Sequence, residues 1–390
     1  MARGTLKAAI FGAAALLCGT ALAAETVTVS LILPMTGPFA STGRQIEAAA
    51  KLYMQENGAE VNGCTVELVT KDDTGTADVT KRIAQEAVVR EGADILAGFG
   101  LTPLALAAAP IATQANKPMV VMAAATSIIT EKSPYIVRTS FTLPQAAHTM
   151  GEWAAKNGIG KAVTLVSDYA PGVDAETFFV KAFEAAGGEV PEKLRVPLQN
   201  PDFAPFLQRA KDAAPDALFV FVPSGVGSIV MKQFADRGLA DAGVKLIGTG
   251  DVTDDDILNN MGDVALGAVT AFFYSAAHDS PENKAFVEAF KAANPGMRPN
   301  FFGVSGYDGM HLIYEGLKKT GCTLDGETFV EAVKGMTWTS PRGEVTIEAD
   351  TRDITQTIYI REVKRLEDGE LYNVEFDEVA NVKDPAKAGQ

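Results

Sequence analysis

The sequence predicts an α/β protein built as two doubly wound, mostly parallel sheet lobes. Strand-like runs and helical stretches alternate along most of the chain. The alternation breaks at Arg138-Thr139-Ser140-Phe141-Thr142 and then starts afresh, and strand after strand runs out into Gly, Pro, Ser or Thr. Alternation of this kind puts helices on both faces of a parallel sheet. Two units of similar design imply two sheet domains facing one another, and 390 residues suit two domains of ordinary size.

Taken in order, residues 1–24 carry Arg3 and Lys7, no acid, and an apolar run from Ala8 to Leu17 that leads to Ala21-Leu22-Ala23. That is the layout of a cleaved secretory signal. The run is shorter than the roughly 20 residues needed to span a bilayer. Leu17 is also bulkier than the small residue a lipoprotein signal wants before its cysteine, here Cys18. Behind the signal, Val27 to Leu33 is an apolar, β-branched run that reads as a buried strand. The loop Pro34-Met35-Thr36-Gly37-Pro38-Phe39-Ala40-Ser41 follows, and a helix is expected from Thr42 to Arg44 onward. Strand, loop and helix in that order aim N–H groups and hydroxyls above the strand's carboxyl end, where open α/β sheets bind ligands. Phe39 and Ser41 are the ligand candidates in this loop.

Further strands are expected at Thr65 to Lys71, Ile95 to Gly98 and Met119 to Met122. A helix between them runs from Asp78 to Glu91, with Val79, Ile83, Ala87 and Val88 at helical spacing. After the break, helix His148 to Asn157 leads to strand Ala162 to Val166 and helix Ala175 to Ala186. Helix Phe203 to Ala213 precedes strand Ala217 to Val222, and helix Ile229 to Arg237 precedes strand Lys245 to Gly248. Strand Ala268 to Tyr274 comes before helices Glu282 to Ala293 and Gly306 to Lys319. Gln356 to Val363 and Leu371 to Val379 flank Glu367-Asp368-Gly369 as a hairpin.

Charge narrows the partners. The formal net charge is −15, and near −17 once Arg3 and Lys7 are removed with the signal. Such acidity argues against nucleic acid or an anionic membrane. Cys64 and Cys322 are the thiols left after the signal. An oxidising compartment allows them to pair, since Cys64 precedes a strand and Cys322 follows a helix returning to the same edge; two separate free thiols are the alternative. His148, His278 and His311 have no metal-site spacing around them, so no metal or cofactor is expected. No Gly-x-Ser-x-Gly elbow, phosphate loop or complete Gly-x-Gly-x-x-Gly occurs, because Gly98-Phe99-Gly100 continues as Leu101-Thr102-Pro103.

Four strand ends are built alike, from small residues and hydroxyls. They are Pro34 to Gly37, Gly98 to Pro103, Ala123 to Ser127, and Gly248-Thr249-Gly250-Asp251. Small residues permit close backbone approach, and hydroxyls at helix starts can hold a carboxylate. Each alone could be ordinary helix capping; their coincidence at successive strand ends favours a ligand site. Thr102 and Thr126 are the hydroxyl candidates. Asp251 suits a ligand ammonium and Tyr169 could cover an apolar ligand, while Asp254-Asp255-Asp256 read as a solvated helix start.

At these residues the chain resembles the leucine/isoleucine/valine-type (type I) periplasmic binding proteins, the capture subunits of ABC importers. The markers are Leu33-Pro34-Met35-Thr36-Gly37-Pro38 with Gly43 beyond, Lys71-Asp72-Asp73, Ala123-Ala124-Ala125-Thr126, Asp202-Phe203-Ala204-Pro205-Phe206-Leu207 and Gly306-Tyr307-Asp308. The resemblance implies two lobes joined by a three-crossover hinge. Lobe one would be residues 25–142 plus 276–349, and lobe two residues 143–275 plus 350–390. It implies Thr102 on the ligand carboxylate, contacts from Ala124 and Thr126, an aromatic cover from Tyr169, and Asp251 within one residue of the family's ammonium-binding acid. Leu101-Thr102-Pro103 replaces the family's Ser-rich helix start, and Pro223-Ser224 stands where a second aromatic is usual. These departures, with Gly-Asp-Val-Thr-Asp-Asp-Asp at residues 250–256, look like the subgroup that binds aromatic acids such as benzoates. The function implied is non-catalytic capture of a small carboxylate by a periplasmic monomer that serves an inner-membrane permease. A branched-chain amino acid is the alternative ligand. A secreted hydrolase or a chemoreceptor ligand domain are the alternative classes.

Overall fold

The computed structural model describes Met1, residues 25–322 and residues 324–388. The signal-peptide reading, Cys18 included, lies outside them apart from Met1. In the first lobe the order is β1 (Glu25–Leu33), α1 (Ala40–Asn57), β2 (Glu60–Val61), β3 (Cys64–Asp72), α2 (Ala77–Val89), β4 (Ile95–Gly98), α3 (Thr102–Ala115), β5 (Met119–Val121) and β6 (Ile136–Arg138). The second lobe follows with α4 (Leu143–Lys156), β7 (Ala162–Ser167), α5 (Ala170–Ala185), β8 (Lys193–Val196), α6 (Ala204–Asp212), β9 (Ala217–Phe221), α7 (Gly227–Asp236), β10 (Lys245–Thr249), α8 (Leu258–Met261) and β11 (Val269–Phe272). The chain then returns through α9 (Pro281–Ala293), α10 (Phe301–Thr320) and α11 (Gly326–Val333) before β12 (Thr337–Ser340), β13 (Gly343–Ile347), β14 (Ile354–Arg365) and β15 (Leu371–Val382).

Two sheets result. The first has the order β2-β3-β1-β4-β5-β6, and the second β12-β13-β14-β11-β10-β9-β7-β8 with β15 on β14. β1 lies between parallel neighbours, with Val29 opposite Leu68 on one side and Ile95 on the other. Its run is apolar on both faces because each face meets helices. Val27, Val29, Leu31 and Leu33 enter the core shared with Ile46 of α1 and Ile313 of α10. Ile32 points the other way, into the core with Ala84 of α2 and Ala108 of α3. In the second lobe Val163 and Leu165 of β7 join Leu207 and Val230 on one face, while Val166 and Phe219 lie with Phe179 and Phe183 on the other.

The boundary expected at residue 349 is corrected. β12 and β13 are hydrogen-bonded into the second sheet, Val345 pairing opposite Gln356 of β14. Val345 and Ile347 are buried there, so the third crossing falls before Thr337. Several helices also begin earlier than the pattern suggested, α4 at Leu143 and α5 at Ala170 among them. α1 starts at Ala40. α10 starts at Phe301, where the Asn300 side chain accepts from the N–H groups of Phe302 (3.0 Å) and Gly303 (3.1 Å); a side-chain cap of this kind replaces orphaned helix-end partners. Cys64 and Cys322 are joined in a disulfide with Cα atoms 5.4 Å apart, tying the start of β3 to the chain just past α10. Among the described residues no helix is long and apolar enough to cross a membrane.

Candidate functional site: a cavity between the lobes

Asp72, at the end of β3, fixes the loop after β1. Its Oδ1 accepts from the Met35 N–H (3.0 Å) and its Oδ2 from the Thr36 hydroxyl (2.7 Å). Gly43 lets α1 press against that loop, since a Cβ there would sit 2.4 Å from the Pro34 carbonyl oxygen. Phe39 and Thr42 are thereby brought to the cavity wall. At the end of β4, Gly98 and Phe99 have φ of 106° and 66°. A buried Phe in the left-handed region is uncommon and marks a conformation imposed by its surroundings. Here the Phe99 carbonyl accepts from the Ala124 N–H (3.0 Å), locking the ends of β4 and β5 together.

Thr102 is the first residue of α3, and its hydroxyl lies 2.9 Å from that of Thr126. Pro103 contributes no N–H at this helix start, so donors here are few and fixed. The carbonyls of Ala124 and Thr126 accept from Arg138 Nη1 (3.0 Å) and Nη2 (2.8 Å). Arg138 is wholly buried and ion-paired with Asp353 at 2.7 Å, which keeps its charge satisfied.

The second lobe closes the other side. Tyr169, ahead of α5, stacks with Phe221 at 6.1 Å between ring centroids and 18° between planes. Pro223, Ser224 and Asp251 complete this wall; Phe141 and Leu143 come from the first crossing and Phe302 from α10. The space left between these walls is narrow, about 30 Å³. No Lys, Arg or His stands among the described lining residues.

Of the nine ligand candidates read from sequence, Phe39, Leu101, Thr102, Ala124, Tyr169, Ser224 and Asp251 line this space. Thr126 and Ser41 do not. Thr126 backs Thr102 from behind, and the Ser41 hydroxyl donates across the gap to Asp256. Phe141, Phe221 and Phe302 had no distinguishing signal, since an aromatic at a strand end or helix start reads as core.

Asp251 is 4 % exposed, and its Oδ2 accepts from the Thr249 hydroxyl at 2.9 Å. Burial pushes its carboxyl up to about 7, against the opposing pull of that hydrogen bond and of the Arg361 charge. The reading of Asp254-Asp255-Asp256 as a solvated helix start is corrected: Asp254 and Asp255 are 1 % and 2 % exposed. Asp254 accepts from Ser224 and from the Asn300 amide at 2.8 and 3.0 Å. Asp255 accepts from Asn373 Nδ2 at 3.1 Å. Burial, with Asp256 nearby, pushes the Asp254 carboxyl up to about 7. The histidines lie elsewhere: His278 pairs with Glu375 at 2.7 Å, His311 sits 3.2 Å from the Tyr53 hydroxyl and His148 meets Glu152. Among the described residues no acidic, His or Cys cluster could hold a metal ion.

Two crossed-over sheets enclosing a cavity at their strand ends define a two-lobed ligand-capture protein. Residues 26–370 match the model of the periplasmic binding protein family, and the chain belongs to that family. It is 47% identical over 378 residues to the Leu/Ile/Val-binding protein homolog 6 of Brucella melitensis, covering 96% of this chain and 97% of the relative. A solute binding protein of an ABC transporter from Rhodopseudomonas palustris BisB5, solved with 3,4-dihydroxybenzoic acid, is 60% identical with a TM-score of 0.91, covering 93% of this chain and 99% of that one. Another from Rhodopseudomonas palustris HaA2, solved with p-hydroxybenzoic acid, is 43% identical with a TM-score of 0.91, covering 94% and 100%. The family resemblance seen in the sequence is therefore borne out.

Proposed function

We propose that this protein captures an aromatic carboxylate carrying a ring hydroxyl, without transforming it, and delivers it in the periplasm to an ABC permease. One observation carries the reading: a ring-walled cavity with hydroxyl and helix-start donors on one lobe and a buried, uncharged-leaning acid, Asp251, on the other. The ligand carboxylate is assigned to Thr102 and the N–H groups around it. The ring is assigned to the space beside Tyr169, Phe141 and Phe302, and the ring hydroxyl to Asp251. Micromolar affinity needs about 8 kcal/mol. Two or three hydrogen bonds to the charged carboxylate at about 1.5–3 kcal/mol each, with one buried ring adding about 2 kcal/mol, supply it. A monomer is part of this reading, because one cavity shared by the two lobes of one chain needs no second copy.

Calorimetry with 3,4-dihydroxybenzoate, 4-hydroxybenzoate, benzoate and leucine tests this. Tight binding of the hydroxylated acids, weaker binding of benzoate and none of leucine is expected. A second reading, branched-chain amino acid capture, is favoured by Asp251 as an ammonium partner and by the naming of the Brucella relative. Leucine binding above all the aromatic acids would establish it instead.

A further inference from the structure

Asp254 is the residue that joins the cavity wall to the seam between the lobes. On its own lobe, the Ser224 hydroxyl donates to Asp254 Oδ2, and the Asp256 N–H reaches Oδ1 at 3.0 Å. Across the gap, Asn300 Nδ2 lies 2.8 and 3.0 Å from the two carboxylate oxygens. The orientation of that amide is not free. Asn300 Oδ1 accepts from the Phe302 and Gly303 N–H groups at the head of α10, so its NH₂ must face Asp254. The Asn300 N–H in turn reaches Gln45 Oε1 at 3.2 Å on α1. Both Ser224 and Phe302 line the cavity. A serine whose only proton is committed to a carboxylate offers lone pairs alone to its other side.

We propose that Asp254 is a positioning residue for ligand capture: it holds Ser224 as a hydrogen-bond acceptor facing the cavity, and through Asn300 it couples recognition of a ligand hydroxyl to closure of the lobes. This rests on the aromatic-acid reading above. A ligand O–H, not a ring C–H, is what such an acceptor selects. Separation of the lobes would strip Asn300 from the carboxylate, so the contact belongs to the closed form.

The test measures affinity and dissociation rate at pH 8 for two probes, 3,4-dihydroxybenzoate and benzoate. Ser224→Ala removes the acceptor and leaves Asp254 in place. Asp254→Asn turns the acceptor into a group that can donate to Ser224. Each is expected to lower the preference for the dihydroxy acid over benzoate about tenfold. Asn300→Ser keeps a helix-capping hydroxyl but loses the amide. It is expected to speed dissociation of both probes about tenfold while leaving their ratio unchanged. An unchanged probe ratio in Ser224→Ala and Asp254→Asn, or unchanged dissociation in Asn300→Ser, overturns the proposal. A wild-type protein that binds neither probe overturns the underlying reading instead.

Discussion

Thr102 owes its place to three local causes: the kink at Gly98 and Phe99, the helix that starts on it, and the Thr126 hydroxyl behind it. If Thr102 holds the ligand carboxylate, Thr102→Ala should weaken aromatic-acid binding by about 1–3 kcal/mol, the worth of a hydrogen bond to a charged group. Thr126→Ala should cost less, because Thr126 acts only by orienting Thr102. Calorimetry on the two variants checks the order, and equal losses would place Thr126 in direct contact. Asp251 yields a prediction of different sign. Its pKa is raised from the ordinary 3.8 to about 7 by burial, so the folded protein binds the proton more tightly than the unfolded chain does. That stability is fully present below about pH 4 and is lost as pH rises through about 7. Asp251→Asn, which has nothing to ionise, should therefore melt higher than the wild type at pH 8 in the absence of ligand. The gain, about 2–4 kcal/mol at most, should vanish by pH 4. Melting curves that stay parallel at both pH values would show that the Asp251 carboxyl is not perturbed.

At the scale of elements, long strands and helices were legible because both faces of β1, and one face of each flanking helix, must be apolar to fill the cores. Shorter pieces were not. β2 (Glu60–Val61) and β6 (Ile136–Arg138) have too few residues to show a period. β12 and β13 carry too little apolar signal of their own, and their membership in the second sheet is decided by pairing with β14, a contact between segments distant from the lobe-two strands. The site shows the same division. Hydroxyls and small residues at strand ends pointed to Thr102 and Ala124. The burial of Asp254 depended on Asn300, 46 positions away, and a run of three acids reads locally as a solvated helix start. The link between Cys64 and Cys322 spans 258 residues and fastens the start of β3 to the return chain past α10. Closing so long a loop in the unfolded chain is worth about 2–5 kcal/mol. Cys322→Ser should lower the unfolding free energy of the oxidised protein, read from urea denaturation, by that amount. The reduced wild type should unfold with it, and coincidence of the oxidised wild-type and variant curves would rule out the bond.

The whole molecule is held together where its three crossings meet. Arg342, in the turn between β12 and β13 just past the third, is wholly buried and donates to the carbonyls of Thr139 (2.5 Å) and Ser140 (3.0 Å) on the first. Its guanidinium lies 4.8 Å from the ring centroid of Phe273 on the second. The charge is balanced by Asp308 of α10 at 2.7 Å, which also accepts from Trp338 Nε1 (2.9 Å) and the Ser340 hydroxyl (2.8 Å). One planar fork thus fixes the mutual geometry of three chain segments where the lobes meet, a task that the point charge of lysine cannot repeat. Arg342→Met strands the Asp308 carboxylate in a dry hinge and should cost about 3–5 kcal/mol. Adding Asp308→Asn to it removes the stranded charge and should restore part of that loss, because breaking a buried pair hurts more than deleting both members. Arg342→Lys should keep the charge balance yet lose the register of the crossings. Small-angle scattering should then find its ligand-bound form less compact than that of the wild type, even where urea denaturation shows a smaller loss of stability than Arg342→Met. Equal compaction of the lysine variant and the wild type would mean that the carbonyl contacts of Arg342 do not set the closed geometry, and that the aromatic packing of Phe141, Phe272 and Phe273 at the same crossings does.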